Sequence, residues 1–278
     1  MSKLKQMFTN RGSMAAYALI SATFTMLPED VFKFGLIQCD WSWTIIVIIN
    51  RILACVAIFV IANAIYHLYK KNRTAVTISG NDFFISIEYG DLIEKKGGKT
   101  VINFDECYST KVGEKPGEIK PTSICGQYLT KFPTIDVKKT IKLANVEPIG
   151  ESQYKNRKKY QLGTVVPKDD FLLMAFTELD KEGLSTMSYR KYLDCLEFFW
   201  KQIDKYHGTD DIYIPILGSK ITRFDKELSQ QDLLDVMISS YLLSPYKLKL
   251  PYTLHIVCHE RKGFSLNNIR GIDQNRNL

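Results

Sequence analysis

Hydrophobic positions divide this chain into two parts with different periodicity. Residues 13–27 and 43–69 are apolar almost without interruption, whereas beyond Thr74 apolar residues alternate or recur every three to four positions. A helix that spans a bilayer needs roughly 20 mostly apolar residues, and it satisfies its own backbone hydrogen bonds, as lipid demands. The pattern therefore predicts a membrane-embedded region over residues 1–73 and a soluble domain over residues 74–278.

Charges around the two apolar stretches predict their orientation. Basic residues lie on both outer sides of the pair: Lys3, Lys5 and Arg11 before it, and Lys70, Lys71 and Arg73 after it. Because basic residues favour the cytoplasmic side of a membrane, we expect a two-helix transmembrane hairpin with both termini and the soluble domain in the cytoplasm. The first stretch is short for a span. The alternative is one span over 43–69, with residues 13–27 lying on the membrane surface.

Arg51 places a charge inside the longer apolar stretch. A charge within a span costs about 2.5 kcal/mol or more on insertion scales unless it reaches water, protein or the interface. Two interpretations stay open. Either Arg51 snorkels with Asn50 as its partner, or the two residues line an oligomer interface or a pore.

The soluble half has the pattern of an α/β domain. Strand-like runs occupy residues 74–79, 83–89, 100–104, 163–166, 171–178, 211–217 and 252–258. Amphipathic helices are predicted over 188–206 and 229–243, with Ser188 and Ser229 as N-caps. The run 171–178 barely alternates, which predicts a strand buried on both faces. Strands alternating with helices over the last hundred residues predict a layered domain with a mostly parallel central sheet. Between residues 113 and 159 the pattern supports no firm prediction.

Charge and cysteine spacing exclude several functional classes. The net charge of +7 is spread over the soluble half, and its densest run, residues 155–159, is short. Nucleic-acid binding would favour a basic stripe interleaved with exposed aromatic residues, so we do not expect it. The six cysteines form no CxxC pair and the four histidines no HxxxH pair. We therefore predict no metal site, no disulfide scaffold and no bound cofactor.

Residues at the ends of strands are candidates for binding an anion. Glycine lets backbone N–H groups approach a phosphate closely, and a following helix N-terminus adds favourable partial charge. Gly126 and Gly218 occupy such positions, although most strand-end glycines only form turns. Asp91, after the strand 83–89, either caps a helical turn or accepts a hydrogen bond from an exocyclic amine.

The order of these pieces resembles a known family. The matching segments are Gly90-Asp91-Leu92, the strand 100–104 with residues 105–110, residues 123–127, Gly163-Thr164-Val165, and residues 214–218. Together they are similar to macro domains and, more narrowly, to the membrane-anchored macro-domain effectors of the Thoeris anti-phage defence system. The resemblance covers nearly the whole chain. It implies a macro-like three-layer α/β/α domain with a mixed central sheet, preceded by the transmembrane hairpin.

The resemblance also implies a binding site for an ADP-ribose-type ligand. The implied residues are Asp91 and Leu92 at the adenine end, Ser123, Cys125, Gly126 and Gln127 in a glycine-containing loop around the diphosphate and distal ribose, and Gly218, Ser219, Lys220 and Arg223 at a second phosphate loop. Three positions depart from the family pattern. Asp105 stands where asparagine is usual, Ser109 where aspartate is usual, and Lys220 where the loop has its second glycine.

We expect a receptor rather than an enzyme, with no catalytic residues. Macro domains that hydrolyse ADP-ribosyl bonds use paired asparagines near the first loop. Three positions after Asn103 stands Glu106, and three after Asp105 stands Tyr108, so neither register supplies the second asparagine. No other residue is an obvious general base. The alternatives are a membrane-tethered ADP-ribosyl hydrolase and a membrane-anchored adaptor that binds protein.

The resemblance implies a place in a signalling sequence. A partner TIR-domain enzyme would consume NAD to make an ADP-ribose derivative, expected to be histidine-ADP-ribose. Binding would drive homo-oligomerisation at the bacterial cell membrane, and contact with membrane lipid would disrupt the bilayer and abort the infection. A ligand can shift the equilibrium between the separate and the oligomeric protein only by the difference in its affinity for these two states.

Overall fold

The computed structural model describes residues 8, 10–34, 43–219, 222–259 and 264–269. Its contacts divide the chain into two compact units, residues 1–73 and 74–278. The boundary between Arg73 and Thr74 falls where the hydrophobic pattern changes. Each unit is described by itself.

Two helices and a short turn form the N-terminal unit. Helix α1 runs over Arg11–Met26, a 3-10 turn over Glu29–Phe34, and helix α2 over Trp43–Lys71. The two helices pair through Asn63 on α2, whose side-chain oxygen accepts from Asn10 Nδ2 and from Ser13 Oγ, each at 3.2 Å. The close approach of α1 to α2 requires a glycine at position 12, since a Cβ on Gly12 would lie 2.7 Å from the side chain of Tyr66.

The two N-terminal helices differ in whether they are long and apolar enough to cross a membrane. Among the described residues, only α2 is long and apolar enough to cross a membrane. Helix α1 has 16 residues, about 24 Å at roughly 1.5 Å per residue, which is shorter than the hydrocarbon core of about 30 Å. Leu27 is already extended, as expected before Pro28. The expected multi-pass topology is therefore not supported, because α1 ends too early.

Arg51 has partners within its own unit, which neither sequence interpretation foresaw. Its Nη2 lies 3.3 Å from Glu29 Oε1, and its guanidinium lies 5.8 and 5.3 Å from the ring centroids of Phe24 and Phe32. Asn50 donates instead to the carbonyl of Phe32 at 3.0 Å. An ion pair and two aromatic rings thus reduce the cost of burying this charge.

A mixed sheet forms the centre of the soluble unit. Its strands in the described chain are β1 (Ala75–Ser79), β2 (Phe84–Tyr89), β3 (Gly98–Asp105), β6 (Val165–Lys168), β7 (Phe171–Leu179), β8 (Ser185–Met187), β9 (Asp211–Pro215), β10 (Arg223–Phe224) and β11 (Thr253–Cys258), with β4 (Gly150–Glu151) and β5 (Lys158–Lys159) forming a separate small ribbon. The order is β1-β2-β11-β9-β3-β7-β8-β10, and β6 pairs with β7. Strands β2, β11, β9, β3 and β7 are parallel neighbours.

Helices cover the sheet on two sides, as the three-layer prediction requires. They are α3 (Ile124–Lys131), α4 (Val137–Leu143), α5 (Tyr189–Tyr206) and α6 (Gln230–Leu243). One core joins α5 and α6 to the sheet, and a second joins α3 and α4 to β3, β6 and β7. Trp200 of α5 donates to Ser240 of α6 at 3.0 Å. Nearly every residue of β7 is buried, which confirms the central strand.

The parallel strands bring several chain segments to one edge. Because β2, β3, β7, β9 and β11 run in the same direction, their carboxyl ends meet there, and ligands of open α/β sheets bind at that edge. Gly90, Asp105, Gly218 and His259 all lie at or just beyond strand ends on this edge.

Candidate functional site

A cavity of about 260 Å³ lies at the carboxyl edge of the sheet. Residues near the ends of β3 and β7 line it, among them Asn103, Asp105 and Thr177. A smaller cavity of about 20 Å³ adjoins it and includes Gly90, Leu92 and Gln230. Both cavities are lined by Ile124, Ile216, Ser219 and His259. Together they form an elongated site, called the joined cavity below.

The turn after β9 is built around Gly218. Its φ of +83° is unfavourable for other residues, and an added Cβ would lie 2.7 Å from the ring of Phe224. Gly218 and Ser219 both line the larger cavity, as expected for a phosphate turn. Lys220 lies outside the described residues.

The predicted first loop is in fact the start of a helix. Ser123 is the N-cap of α3, and its Oγ accepts from the backbone N–H of Gly126 at 2.9 Å. Ser123, Ile124 and Cys125 line the larger cavity, so the positive end of the α3 dipole lies at the cavity wall. The sequence interpretation treated this segment as a loop because α3 is short and its apolar residues give little periodicity.

Gly126 and Gln127 do not line the described cavities. A Cβ on Gly126 would lie 2.1 Å from the carbonyl oxygen of Lys120, so glycine is needed there for close backbone packing. The Gln127 side chain is exposed and donates to the carbonyl of Thr122 at 3.2 Å. Both residues shape the helix start, and their ligand contacts stay predictions.

Asp91 caps a helical turn. It is exposed, and its Oδ1 accepts from the N–H of Ile93 at 2.9 Å, beginning the 3-10 turn Leu92–Glu94. Leu92, unlike Asp91, lines the smaller cavity. The role of Asp91 toward adenine stays a prediction. Arg223, on the short strand β10, is exposed and outside the cavity linings.

Two residues that the sequence interpretation did not select have buried acceptors without partners. Asn103 lines the larger cavity and Gln230 the smaller, and the buried Oδ1 of Asn103 and Oε1 of Gln230 make no hydrogen bond. A buried polar atom without a partner costs about 1–3 kcal/mol. Asn103 lies between Ile102 and Phe104 in an otherwise apolar strand. This polar residue in an apolar run is the sequence signal that could have identified it.

The two acidic residues after β3 are engaged in holding the fold. Asp105 Oδ1 accepts from the N–H groups of Cys107 and Ser109 at 2.9 and 3.0 Å. Glu106 Oε1 accepts from Ser152 Oγ at 2.5 Å and from the N–H of Leu179 at 3.3 Å. Both carboxylates are buried. One oxygen of each carboxylate thus stabilises a turn, and Asp105 also lines the larger cavity.

The thiols near the site are poor nucleophiles. Burial raises the pKa of Cys107 to about 11, and burial also raises the pKa of Cys125 well above its ordinary value. The thiolate is the reactive form of cysteine, so at neutral pH both groups stay protonated. Among the described residues, no cluster of histidine, cysteine and acidic side chains could hold a metal ion.

Comparison with known proteins identifies the family. Residues 85–259 match the model of the macro domain of Thoeris protein ThsA. The chain belongs to this family. Thoeris protein ThsA of Bacillus amyloliquefaciens (strain Y2) is 27% identical over 257 residues, which cover 87% of this chain and 83% of that protein. Membership confirms the predicted macro-like fold and is consistent with a role in anti-phage defence and with binding of an ADP-ribose-type ligand.

Solved macrodomains are more distant. A substituted form of the Oceanobacillus iheyensis macrodomain is 8% identical, with a TM-score of 0.44, and the match covers 68% of this chain and 91% of that one. The same macrodomain with ADP is 9% identical, with a TM-score of 0.44 over 67% and 89% of the two chains. Such distant matches carry no information about the ligand of this chain.

Proposed function

We propose that this protein is a Thoeris defence receptor that binds an ADP-ribose-type ligand in the joined cavity without hydrolysing it. One observation carries the proposal: the N-terminus of α3, the Gly218 turn and Asn103, whose buried Oδ1 has no hydrogen-bond partner, all belong to the lining of the same cavity. Two of these features attract phosphate, and the third requires a donor such as a hydroxyl group. A diphosphate joined to a ribose supplies both.

The proposed ligand lies along the joined cavity. Its diphosphate approaches the backbone of Ser219 and the α3 N-terminus beside Ser123. Asn103 accepts from a ribose hydroxyl. The adenine occupies the end lined by Leu92, with Asp91 beside it to accept from the exocyclic amine.

A receptor role fits the chemistry of the site better than hydrolysis. One oxygen of Asp105 and one of Glu106 already accept from backbone and hydroxyl donors, and burial raises the pKa of the neighbouring thiols, which favours their protonated form at neutral pH. We further propose that a TIR-domain partner makes the ligand from NAD as histidine-ADP-ribose. Binding then drives homo-oligomerisation, and α2 carries the response to the membrane.

Ligand-induced stabilisation of the full chain in detergent tests this proposal. At a ligand concentration of a hundred times Kd, a one-site receptor gains about 2.7 kcal/mol, so ADP-ribose or histidine-ADP-ribose should raise Tm. Gly218→Glu should abolish the shift, because its side chain would clash with Phe224 and repel the diphosphate. Gly97→Ala is the matched control, since Gly97 also has positive φ but has no atom within 4 Å of an added Cβ.

Chromatography of the same samples separates receptor from hydrolase. A receptor returns the ligand chemically intact after prolonged incubation. Multiple-turnover cleavage that is lost on Asp105→Ala would make the protein a hydrolase, and the absence of any nucleotide-dependent shift would favour a protein-binding adaptor.

A further inference from the structure

Most of the net positive charge of the chain lies in one segment of the soluble unit. Residues 131–159 contain eight basic and three acidic residues, so these 29 residues carry a net charge of +5, whereas the whole chain carries +7. The segment runs from the last residue of α3 through α4 and the turn 144–149 to the end of the β4–β5 ribbon. None of its residues lines either described cavity. We call it the basic segment.

The fold connects the two basic runs of this segment. The turn 144–149 joins α4 to the ribbon, and the N–H of Ile149 donates to the carbonyl of Lys159 at 2.9 Å where the ribbon begins. One side of α4 is buried in the second core. Lys138 and Lys142, which are four residues apart, lie together on its exposed side. The basic run of the ribbon, short by itself, is thus joined through a fixed turn to the lysines of α4.

Six lysines of the basic segment have no carboxylate partner within the part of the chain that the structure describes. They are Lys138, Lys139, Lys142, Lys155, Lys158 and Lys159. Elsewhere in the soluble unit, Lys95, Lys111 and Lys191 lie 2.9, 2.7 and 2.6 Å from carboxylates. The acidic residues of the segment are Asp136, which caps α4, and Glu147 and Glu151, which are exposed. The six ammonium groups can therefore pair with an external anion.

Two exposed aliphatic side chains flank the turn of the basic segment. Leu143, at the end of α4, is 74% exposed, and Ile149, before the ribbon, is 62% exposed. Among the described residues of the soluble unit, Leu243 is the one other large apolar side chain exposed by more than 60%. Lysines around aliphatic tips are typical of surfaces that contact an anionic bilayer. Nucleic-acid binding would favour exposed aromatic residues for base stacking, so the pattern favours lipid.

The chain enters the soluble unit at the sheet edge that also holds the ribbon. The carbonyl of Thr74, before β1, accepts from the N–H of Tyr89, at the end of β2. The carbonyl of Glu106, just after β3, accepts from the N–H of Tyr160, which follows the ribbon, at 2.8 Å. Three residues separate α2 from β1, a link on the order of 10 Å long. Such a short tether gives even a weak contact with the bilayer a high effective concentration.

We propose that the basic segment docks on anionic lipid headgroups and gives the protein a second membrane contact, separate from α2. The six lysines pair with the phosphates of the headgroups, and Leu143 and Ile149 enter the interface between headgroups and acyl chains. The proposal concerns a surface outside the joined cavity. It takes from the proposed function only the position of α2 in a membrane.

Cysteine labelling of the full chain in lipid nanodiscs tests this contact. Leu143→Cys is labelled with a maleimide on neutral polyethylene glycol, which stays outside the bilayer, and peptide mass spectrometry reads this site apart from the native cysteines. We expect labelling to be about tenfold slower on discs with about one quarter phosphatidylglycerol than on discs of phosphatidylcholine alone. Salt at about 0.5 M should restore most of the rate, because it screens charges beyond a few ångströms.

Matched variants separate a lipid contact from a general effect of the discs. Leu243→Cys lies in residues 229–251, which contain two acidic and two basic residues, so its labelling rate should change less than about twofold. Lys138→Glu combined with Lys142→Glu should abolish the protection of Leu143→Cys. Lys201→Glu combined with Lys205→Glu makes the same charge change four residues apart on the exposed side of α5, in the other helix layer, and should keep the protection.

The possible outcomes separate this proposal from the proposed function. Equal labelling of Leu143→Cys on both kinds of disc would overturn the docking proposal and leave the receptor function standing. Protection by added RNA but not by anionic lipid would assign the surface to nucleic acid and would overturn the proposal as well. If the full chain does not enter the discs, α2 is not a membrane segment, and the membrane role in the proposed function fails together with this contact.

Discussion

At the residue scale, the site combines groups that are satisfied within the protein with others that are not. The side chains of Asp91, Asp105 and Glu106 accept hydrogen bonds from donors within the fold. These hydrogen bonds stabilise turns. Asn103 has a buried oxygen with no donor. Ligand binding should therefore depend on Asn103 more sharply than on Asp91, the one acidic residue that the sequence analysis selected for the site.

Asn103→Leu should have opposite effects on stability and on binding. Replacing the unpartnered oxygen by an apolar group of similar size removes a desolvation penalty of about 1–3 kcal/mol, so the ligand-free variant should melt higher than wild type. The same variant loses an acceptor for the ligand, so its melting shift with ADP-ribose should shrink. Thermal melts with and without ligand measure both effects. A lower Tm and an unchanged ligand shift would contradict the assignment.

Cys107 should make stability depend on alkaline pH. Because burial raises its folded pKa from 9.0 to about 11, the folded state holds the thiol proton more tightly than the unfolded state. The resulting stabilisation is complete below pH 9 and is lost as pH rises toward 11. Urea melts between pH 8 and 11 should show this loss, and Cys107→Ala should reduce it. A stability profile with the same slope in both proteins would refute this assignment.

At the element scale, the pairing of α1 with α2 is the feature most open to direct test. In a Cys55→Ala background, Ser13→Cys combined with Asn63→Cys should form a disulfide in native membranes, because the Ser13 and Asn63 side chains are in hydrogen-bond contact. Ser13→Cys with Val56→Cys is the control, since Val56 lies about two turns away on α2. Cross-linking is read from gel mobility. Absence of the disulfide would mean that α1 lies apart from α2.

Sequence reasoning predicted the elements with strong local signals. Strand β7 was predicted from its uninterrupted apolar run, and helices α5 and α6 from their N-caps and amphipathic spacing. The structure confirms all three elements. Strands β8 and β10 have three and two residues, too few to carry a pattern of their own; β8 pairs with the preceding strand β7, and β10 pairs with β8. The same reason hid the hydrogen bond from the N–H of Gly117 to the carbonyl of Gly183. The loops that carry these glycines, residues 111–119 and 180–184, have no pattern of their own, and their contact depends on how β3 and β7 are placed.

At the scale of the whole molecule, the chain divides into two compact units, residues 1–73 and 74–278. We expect each unit to keep its own function when it is separated from the other. Residues 74–278 contain both hydrophobic cores of the macro-like domain, so this fragment should be soluble without detergent and show the same ADP-ribose melting shift as the full chain. It should not arrest growth in cells that make the ligand, whereas the full chain should. Growth arrest by the fragment would show that the membrane unit is dispensable.

The unpartnered oxygen of Asn103 has a consequence for how long the protein survives in a cell. Proteases act on transiently opened chains, and a change of 1–2 kcal/mol can alter protein abundance several-fold. If Asn103 receives its hydrogen bond from the ligand, as proposed above, the ligand-free chain should be degraded faster than the ligand-bound chain. The number of copies of the protein in the cell would then rise when the ligand appears.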